Sequence, residues 1–430
     1  MRTAWTVLLI ACLAALAGCA HKTPQPMGFV KDYERPLPPG ELALRKITDP
    51  ADMPDITMAC EFTYDVRQAI AHSLDYLSKP STQNYFPYGQ ITHAHAVASL
   101  KAFDQLLGAN LPPDRLKGEV LRKFDIYTSV GCDGAGTVLF TSYYTPIFNA
   151  SPTPTPTFRC PLYKSPPGLV KDPEGNVLGI QQPGGAMRKI PARIDLPASG
   201  LLAGNELVYL ADEFEVYIAH VQGSAKLRMP DGSLVTVGYA AHNGYEYKSI
   251  SKMMIDDGKL EKQGLSLARM IQYFRAHPDE VKLYTDRNPR FVFFAISDGP
   301  PRGCLNEPVT PMRTIATDKQ VYPRGCLAMV AANLPQRYSG GIEDLPFKSF
   351  VLDQDAGGAI RAPGRCDLYV GIGDKAGELA GRTYAEGRLY YFFLKDDQGP
   401  PPPLVPTTPP EPMTPPATMT PPTPPLPTIE

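Results

Sequence analysis

The chain has 430 residues, 43% of them hydrophobic and 20% charged, a mix that builds a buried core. Its 42 Lys and Arg against 44 Asp and Glu leave a net charge of −2, which excludes the global positive field that gathers nucleic acid. Proline is the outlier, 48 residues where average usage of roughly 5% would give about 22, and its clustering divides the chain.

Arg2 is the only charge before His21, and Ala4 to Ala17 is nearly all apolar. That is the pattern of a signal peptide, with an apolar stretch too short to span a bilayer comfortably. It ends in Leu16-Ala17-Gly18-Cys19, which resembles the lipobox of bacterial lipoproteins. Residues 1–18 are therefore expected to be removed and Cys19 to carry lipid; the alternative is an ordinary secretory signal with an accidental cysteine. Ala20, rather than Asp, after the cysteine favours the outer membrane, where lipid chains instead of a helix form the anchor. Residues 19–47 are polar and Pro-rich and read as a tether.

Helical periodicity follows at Val66, Ile70, Leu74 and Leu77, then at Val97, Leu100 and Leu107, with Asp104 as the polar exception. A third helix is capped by Ser266, carries Leu267, Met270, Ile271 and Phe274 on one face, and stops before His277-Pro278. Strands are expected at 138–144, 207–221, 291–296, 327–333, 347–352 and 389–394, separated by Gly, Pro and Asn turns without βαβ alternation. The class is mainly β with flanking helices, and β-barrels fit better than a doubly wound sheet. Residues 146–296 have the look of a separate unit. The stretch from Gly399 to Glu430 holds fifteen prolines and reads as an extended tail, a spacer or a disordered end.

Six cysteines remain beyond Cys12 and Cys19: Cys60, Cys132, Cys160, Cys304, Cys326 and Cys366. In an oxidising compartment they allow three disulfides in fifteen connectivities, and none forms a CxxC pair or a zinc-spaced cluster. No metal and no cofactor is expected. Gly371-Ile-Gly373-Asp-Lys-Ala-Gly377 has one residue too many for a dinucleotide fingerprint. His93-Ala-His95 opens a helix beside the candidate cap Thr92 and reads as a cap region, not a metal site. His220 lacks a nucleophile elbow and reads as a satisfied strand residue.

Three aspartates are better candidates: Asp318 in Ala-Thr-Asp-Lys, Asp355 before Ala-Gly-Gly, and Asp367 in Cys-Asp-Leu-Tyr-Val-Gly. An acid flanked by Leu, Tyr and Val is partly desolvated, which raises its pKa and lets it hold a proton at neutral pH. The competing reading has all three capping turns and binding backbone amides.

At these residues the chain resembles the membrane-bound lytic murein transglycosylase A (MltA) family, whose C-terminal 3D domain is named for three aspartates. The similarity extends in order through Tyr143-Tyr144-Thr145-Pro146, His220-Val-Gln-Gly223-Ser224, Gly238-Tyr-Ala-Ala-His242-Asn243-Gly244, Tyr247-Lys-Ser249-Ile250 and Asn288-Pro-Arg-Phe-Val-Phe-Phe294. The resemblance implies a double-psi β-barrel, residues 48–146 with 297–396, interrupted by a second β-barrel domain at 147–296, with the substrate groove between them and a tail from 397 to 430.

It also implies cleavage of the β-1,4 bond between N-acetylmuramic acid and N-acetylglucosamine in peptidoglycan glycan strands, on the periplasmic face of the outer membrane. The muramic acid C6 hydroxyl attacks C1 and leaves a 1,6-anhydro ring, so one carboxyl suffices where ordinary glycosidases need two. On the resemblance Asp367 is that acid, then base, with Asp355 and Asp318 supporting it. Tyr144, Thr145, Gln222, Ser224 and Asn243 are the expected sugar contacts; Tyr369 is either a contact or core. Departures are Ser142 where the family has Gly, Ala241-His242 where it has Gly-Lys, and a longer Asp355–Asp367 interval through Pro363-Gly364-Arg365. Two rivals stay open: a water-using hydrolase on the same barrel, and a peptidoglycan-binding protein without catalysis. Oligomeric state is left open.

Overall fold

A computed structural model describes residues 31–172, 175, 177–261 and 266–395. The expected signal peptide, Cys19 and the Pro-rich tail lie outside the described residues. In chain order, β1 (Leu44–Lys46) precedes helices α1 (Thr57–Glu61), α2 (Val66–Leu77), α3 (His93–Gly108) and α4 (Pro113–Lys123). Strands β2 (Phe124–Ser129), β3 (Val138–Thr145), β4 (Ile147–Ser151), β5 (Cys160–Tyr163), β6 (Leu169–Lys171), β7 (Val177–Gln181), β8 (Met187–Arg188) and β9 (Glu206–Leu210) follow. Then come α5 (Glu213–Gln222), β10 (Ser224–Arg228), β11 (Leu234–His242), α6 (Ile250–Asp256), α7 (Leu267–Ala276), α8 (Glu280–Thr285) and β12 (Val292–Ser297). The chain ends with β13 (Thr314–Ala316), β14 (Leu327–Tyr338), β15 (Gly341–Asp355), β16 (Arg365–Ile372), α9 (Asp374–Arg382) and β17 (Ala385–Leu394).

The first sheet runs β1-β2-β17-β14-β15-β13-β16-β3, and β17 also pairs with β3. That second pairing closes β17, β14, β15, β13, β16 and β3 into a six-stranded barrel, so no open edge is left in the ring. Closure needs Gly387: a Cβ there would stand 2.5 Å from the Ala331 carbonyl oxygen, and only glycine lets the strands cross so closely. The barrel strands are buried on both faces. Ala328, Val330, Val351, Tyr391 and Phe393 point into one core, while their neighbours Met329, Phe350, Leu352 and Phe392 point into another formed with the helices. This double burial explains the near-continuous apolar runs that mark these strands in the sequence. Ile70, Leu100, Phe103 and Leu116 supply the helical side of the outer core, each such side chain contributing roughly 1.5–3 kcal/mol on full burial.

At Pro146 the chain passes from β3 directly into β4 of a second sheet, ordered β12-β11-β10-β4-β9-β5. It curls until its end strands β5 and β12 meet, around Leu162, Leu210, Leu227, Val237 and Phe294. A small three-stranded sheet, β6-β7-β8, stands beside it, and α5 to α8 pack through Tyr217, Ile218, Met254, Phe274 and Tyr284. The observed class, mainly β with helices around a closed barrel, is the one the sequence led us to expect.

Several local expectations need correction. The stretch 207–221 is not one strand: β9 ends at Leu210 and α5 begins after Asp212, whose carboxylate accepts from Phe214 N (2.6 Å) and Glu215 N (3.2 Å). His220 is therefore helical. The tether expected over 19–47 is docked from residue 31 onward: Lys31 and Tyr33 both reach Glu386, and Ala43 and Leu44 enter the barrel core as β1 pairs with β2. The six cysteines are free thiols in this structure.

Candidate active site

Strand register builds the site. Ala316 at the end of β13 pairs with Asp355 on one side and Asp367 on the other, and Asp367 in turn pairs with Thr141 of β3. The two carboxylate-bearing residues thus flank β13 two strand spacings apart, about 10 Å between backbones. A bulge sets which acid faces where. Ile315 pairs with Asp353 but Ala316 with Asp355, leaving Gln354 as the extra residue. Gln354 is held in the core by Thr314 Oγ1, Ala69 O and Ser73 Oγ. Asp353, fully buried, accepts from Lys319, Thr317 and Tyr391, whereas Asp355 faces Tyr143.

The three predicted aspartates differ in what occupies their oxygens. Asp318 is buried and tied to main chain: Oδ1 accepts from Gln320 N (3.0 Å) and Oδ2 from Ala362 N (2.9 Å), which pins Ala362 at φ 61°. Asp355 Oδ1 accepts from Cys304 N and Ala356 N, both 2.8 Å, and Oδ2 from the Tyr143 hydroxyl at 2.7 Å. Burial pushes its pKa up against the pull of those donors. Asp367 is different. It is half-buried, and its Oδ1 is a buried atom with no hydrogen-bond partner among the described residues. Loss of hydration raises it to about 6; the Thr141 hydroxyl and the charge of Arg365 pull it down, and the charge of Asp355 adds to the rise. Of the three, this is the carboxyl with an oxygen that no group among the described residues occupies.

The expected sugar contacts divide in the same way. Thr145 Oγ1 lies 3.0 Å from Tyr369 Oη and 3.3 Å from Ser224 Oγ, a hydroxyl cluster below Tyr143, whose ring centre is 5.2 Å from that of Tyr369. Gln222 accepts from Tyr144 N (3.1 Å) and so ties α5 to β3. Tyr144 points away from the aspartates, toward Gly377 of α9 and a cavity lined by Phe148, Glu215, Phe274 and Arg275. Asn243 donates to Pro191 O and Pro289 O and accepts from Phe291 N, all within 2.9 Å. Three of the four hydrogen-bonding positions of buried Asn243 are spent on backbone, so it acts as a loop clamp where the sequence suggested a sugar contact. Its burial follows from that role.

His93 bonds Leu77 O and Thr82 Oγ1, as expected of a helix-opening residue, and Thr92 caps α3 through His95 N. Buried His220 takes a hydrogen bond at Nδ1 from Arg193, and burial drives its pKa well below the usual value.

Comparison with known proteins decides the family. Residues 139–295 match the family model of the MltA specific insert domain, and residues 313–393 match the 3D domain. Membrane-bound lytic murein transglycosylase A of Escherichia coli is 30% identical over 276 residues, spanning 63% of this chain and 70% of the relative. The chain belongs to the MltA family. The MltA of Vibrio cholerae is 29% identical over 281 residues, 64% of this chain and 71% of its own. Among solved structures, E. coli MltA with bound chitohexaose superposes with TM-score 0.60 at 26% identity, covering 85% of this chain and 96% of that one. A membrane-bound lytic murein transglycosylase from Agrobacterium tumefaciens gives TM-score 0.68 at 24% identity, over 82% of this chain and 98% of its own, a likeness of fold.

Within this MltA-family site, two residues escaped the sequence reading. Tyr143, not Tyr144, reaches Asp355, and Thr141 stands beside Asp367. Strand alternation was the available clue: Thr141, Tyr143 and Thr145 share one face of β3, and pairing Thr141 with Asp367 selects that face.

Proposed function

We propose that this chain cleaves the N-acetylmuramic acid–N-acetylglucosamine β-1,4 bond of peptidoglycan as a lytic transglycosylase, with Asp367 as its one acid and base. The supporting observation is the buried, unpartnered Oδ1 of a carboxyl raised to about 6. Protonated Asp367 donates to the glycosidic oxygen as the C1–O bond breaks and positive charge grows at C1. The resulting carboxylate then takes the proton of the muramic acid C6 hydroxyl as its oxygen bonds to C1, which returns Asp367 to its starting form and consumes no water. Asp355, held by three donors, keeps a carboxyl next door that favours the protonated form of Asp367. Asp318 positions the 362 turn ahead of β16 and does not touch substrate.

The same reading assigns residues 1–18 to a signal peptide, Cys19 to a lipid anchor in the outer membrane, 48–146 with 297–396 to the double-psi barrel, and 147–296 to its inserted domain. No helix of the described residues is long and apolar enough to cross a membrane. The deciding experiment is mass spectrometry of muropeptides released from purified sacculi. The expected products carry anhydro ends, and Asp367→Ala binds sacculi but releases none. Reducing ends would assign a hydrolase; equal release by the variant would remove Asp367 from the chemistry.

A further inference from the structure

A group of three cations stands beside the Asp355 loop. Lys171 ends β6, Arg290 precedes β12, and Arg361 follows the Gly357-Gly358 turn. None of the three forms an ion pair among the described residues. Arg290 is half-buried and lies along Gly358, where an added Cβ would meet its Nε at 3.3 Å; its Nη1 donates to Tyr245 O at 3.1 Å. Lys171 Nζ donates to Ala240 O at 2.6 Å and sits 5.8 Å from the centre of the Tyr239 ring, which is 44% exposed.

The three charges converge. After burial itself, Arg290, Lys171 and Arg361 each help hold the His242 imidazole at about 4, so His242 stays neutral among them. Arg361 likewise lowers Arg290, whose first cause is loss of hydration and whose only opposing neighbour is the phenol of Tyr239. Tyr239 is also within electrostatic reach of Cys304, whose amide holds Asp355. Through the contact of Arg290 with Gly358, three residues past Asp355, the cluster borders the carboxylate site from the inserted sheet's side. Half-buried Arg290, with two like charges beside it, is costly unless an anion completes the group.

We propose that Lys171, Arg290 and Arg361, with the exposed face of Tyr239, form a subsite for the carboxylates of the peptide substituent on the glycan strand. This rests on the peptidoglycan reading above and deepens it: the sugar backbone is positioned at Asp367, and the anionic peptide is read by the cations beside it. Arginine suits that role because its planar fork takes a carboxylate through two hydrogen bonds. Arg361 is exposed and makes no hydrogen bond among the described residues that holds the loop, so its removal tests recognition without unfolding the chain.

The test compares sacculus strands bearing peptide with amidase-treated strands stripped of peptide, whose lactyl carboxylate remains. Arg361→Ala is expected to raise KM for peptide-bearing strands tenfold or more relative to any change on stripped strands, with kcat held and Arg361→Lys recovering part of the loss. Lys171→Ala is expected to move KM in the same direction. Equal change on both substrates, or none on either, overturns the subsite. A parallel pull-down of both strand types with Asp367→Ala reads binding without turnover. If wild type releases no anhydro product from either strand, the transglycosylase reading fails, while a preference for peptide-bearing strands in the pull-down still upholds the cluster.

Discussion

Replacing Thr141 with valine should make the enzyme more active at neutral pH. The methyl keeps the volume of the hydroxyl at this half-buried position of β3 and removes the donor beside Asp367. A hydrogen bond to a charged group contributes about 1.5–3 kcal/mol, and one pKa unit is about 1.36 kcal/mol. Taking the low end, the Asp367 pKa moves up by about one unit from its present value of about 6. A general acid must be protonated in the free enzyme, so the alkaline limb of kcat/KM follows this pKa. At pH 7 the protonated fraction goes from about 9% to about 50%, a gain of roughly fivefold, whereas at pH 5 both enzymes are almost fully protonated and differ little. The assay is anhydro-muropeptide release from sacculi between pH 4.5 and 8.5. A limb that stays put, moves toward acid, or shows one scale factor at every pH would refute Asp367 as the titrating donor.

Asp367→Asn should lower anhydro-product release by about 10²–10⁴-fold while leaving the thermal midpoint equal or higher, because it removes a poorly hydrated acid; calorimetry and product analysis on one preparation check both. Asn243→Ala should destabilise the chain by roughly 2–4 kcal/mol through three lost backbone hydrogen bonds, read as a lower urea midpoint, with KM for soluble glycan unchanged in the fraction that folds. Glu215→Gln should stabilise the protein at pH 8 and not at pH 4. Burial first, then the nearby charge of Asp212, lifts the folded Glu215 to about 7, above its unfolded value of about 4.3. Folding therefore binds a proton in this interval, and stability present below about 4.3 falls as pH rises through about 7. Discounted for its partial exposure, the gain is about 1–2 kcal/mol, and melting curves across pH measure it.

What the sequence disclosed about the fold depended on how many faces each element buries. α2 and α3 cover the barrel on one side only, so Val66, Ile70 and Leu77 keep a clean helical period. In α5 the run Tyr217-Ile218-Ala219-His220 is buried all round between the second sheet and α6 to α8, and the period that distinguishes helix from strand disappears. The deciding cue there was the Asp212 cap. β13 has three residues and no pattern of its own; it exists because β15 and β16 both pair with it. The docked segment before residue 47 looked like a tether because Pro and charge dominate it, yet Ala43 and Leu44 are enough to pin it.

The candidate site divides along the same line. Local sequence places three aspartates beside apolar residues, and nothing in it says which oxygens the backbone will claim. Tertiary register does. Asp318 caps a turn that exists only when β16 returns past the 318 loop, and Asp355 meets Tyr143 and Cys304 N only because the Gln354 bulge turns it from the interior that takes Asp353. Asp367 comes between Ala316 and Thr141 in the middle of the ring, where its side-chain neighbours supply one hydroxyl and no amide. Its raised pKa is thus a consequence of strand position: a carboxyl on a strand flanked on both sides loses water, and the amides that would satisfy it are already paired in the ladder. A barrel with the same acids on an edge strand would leave the carboxyl hydrated and deprotonated at neutral pH, unable to donate to a leaving sugar.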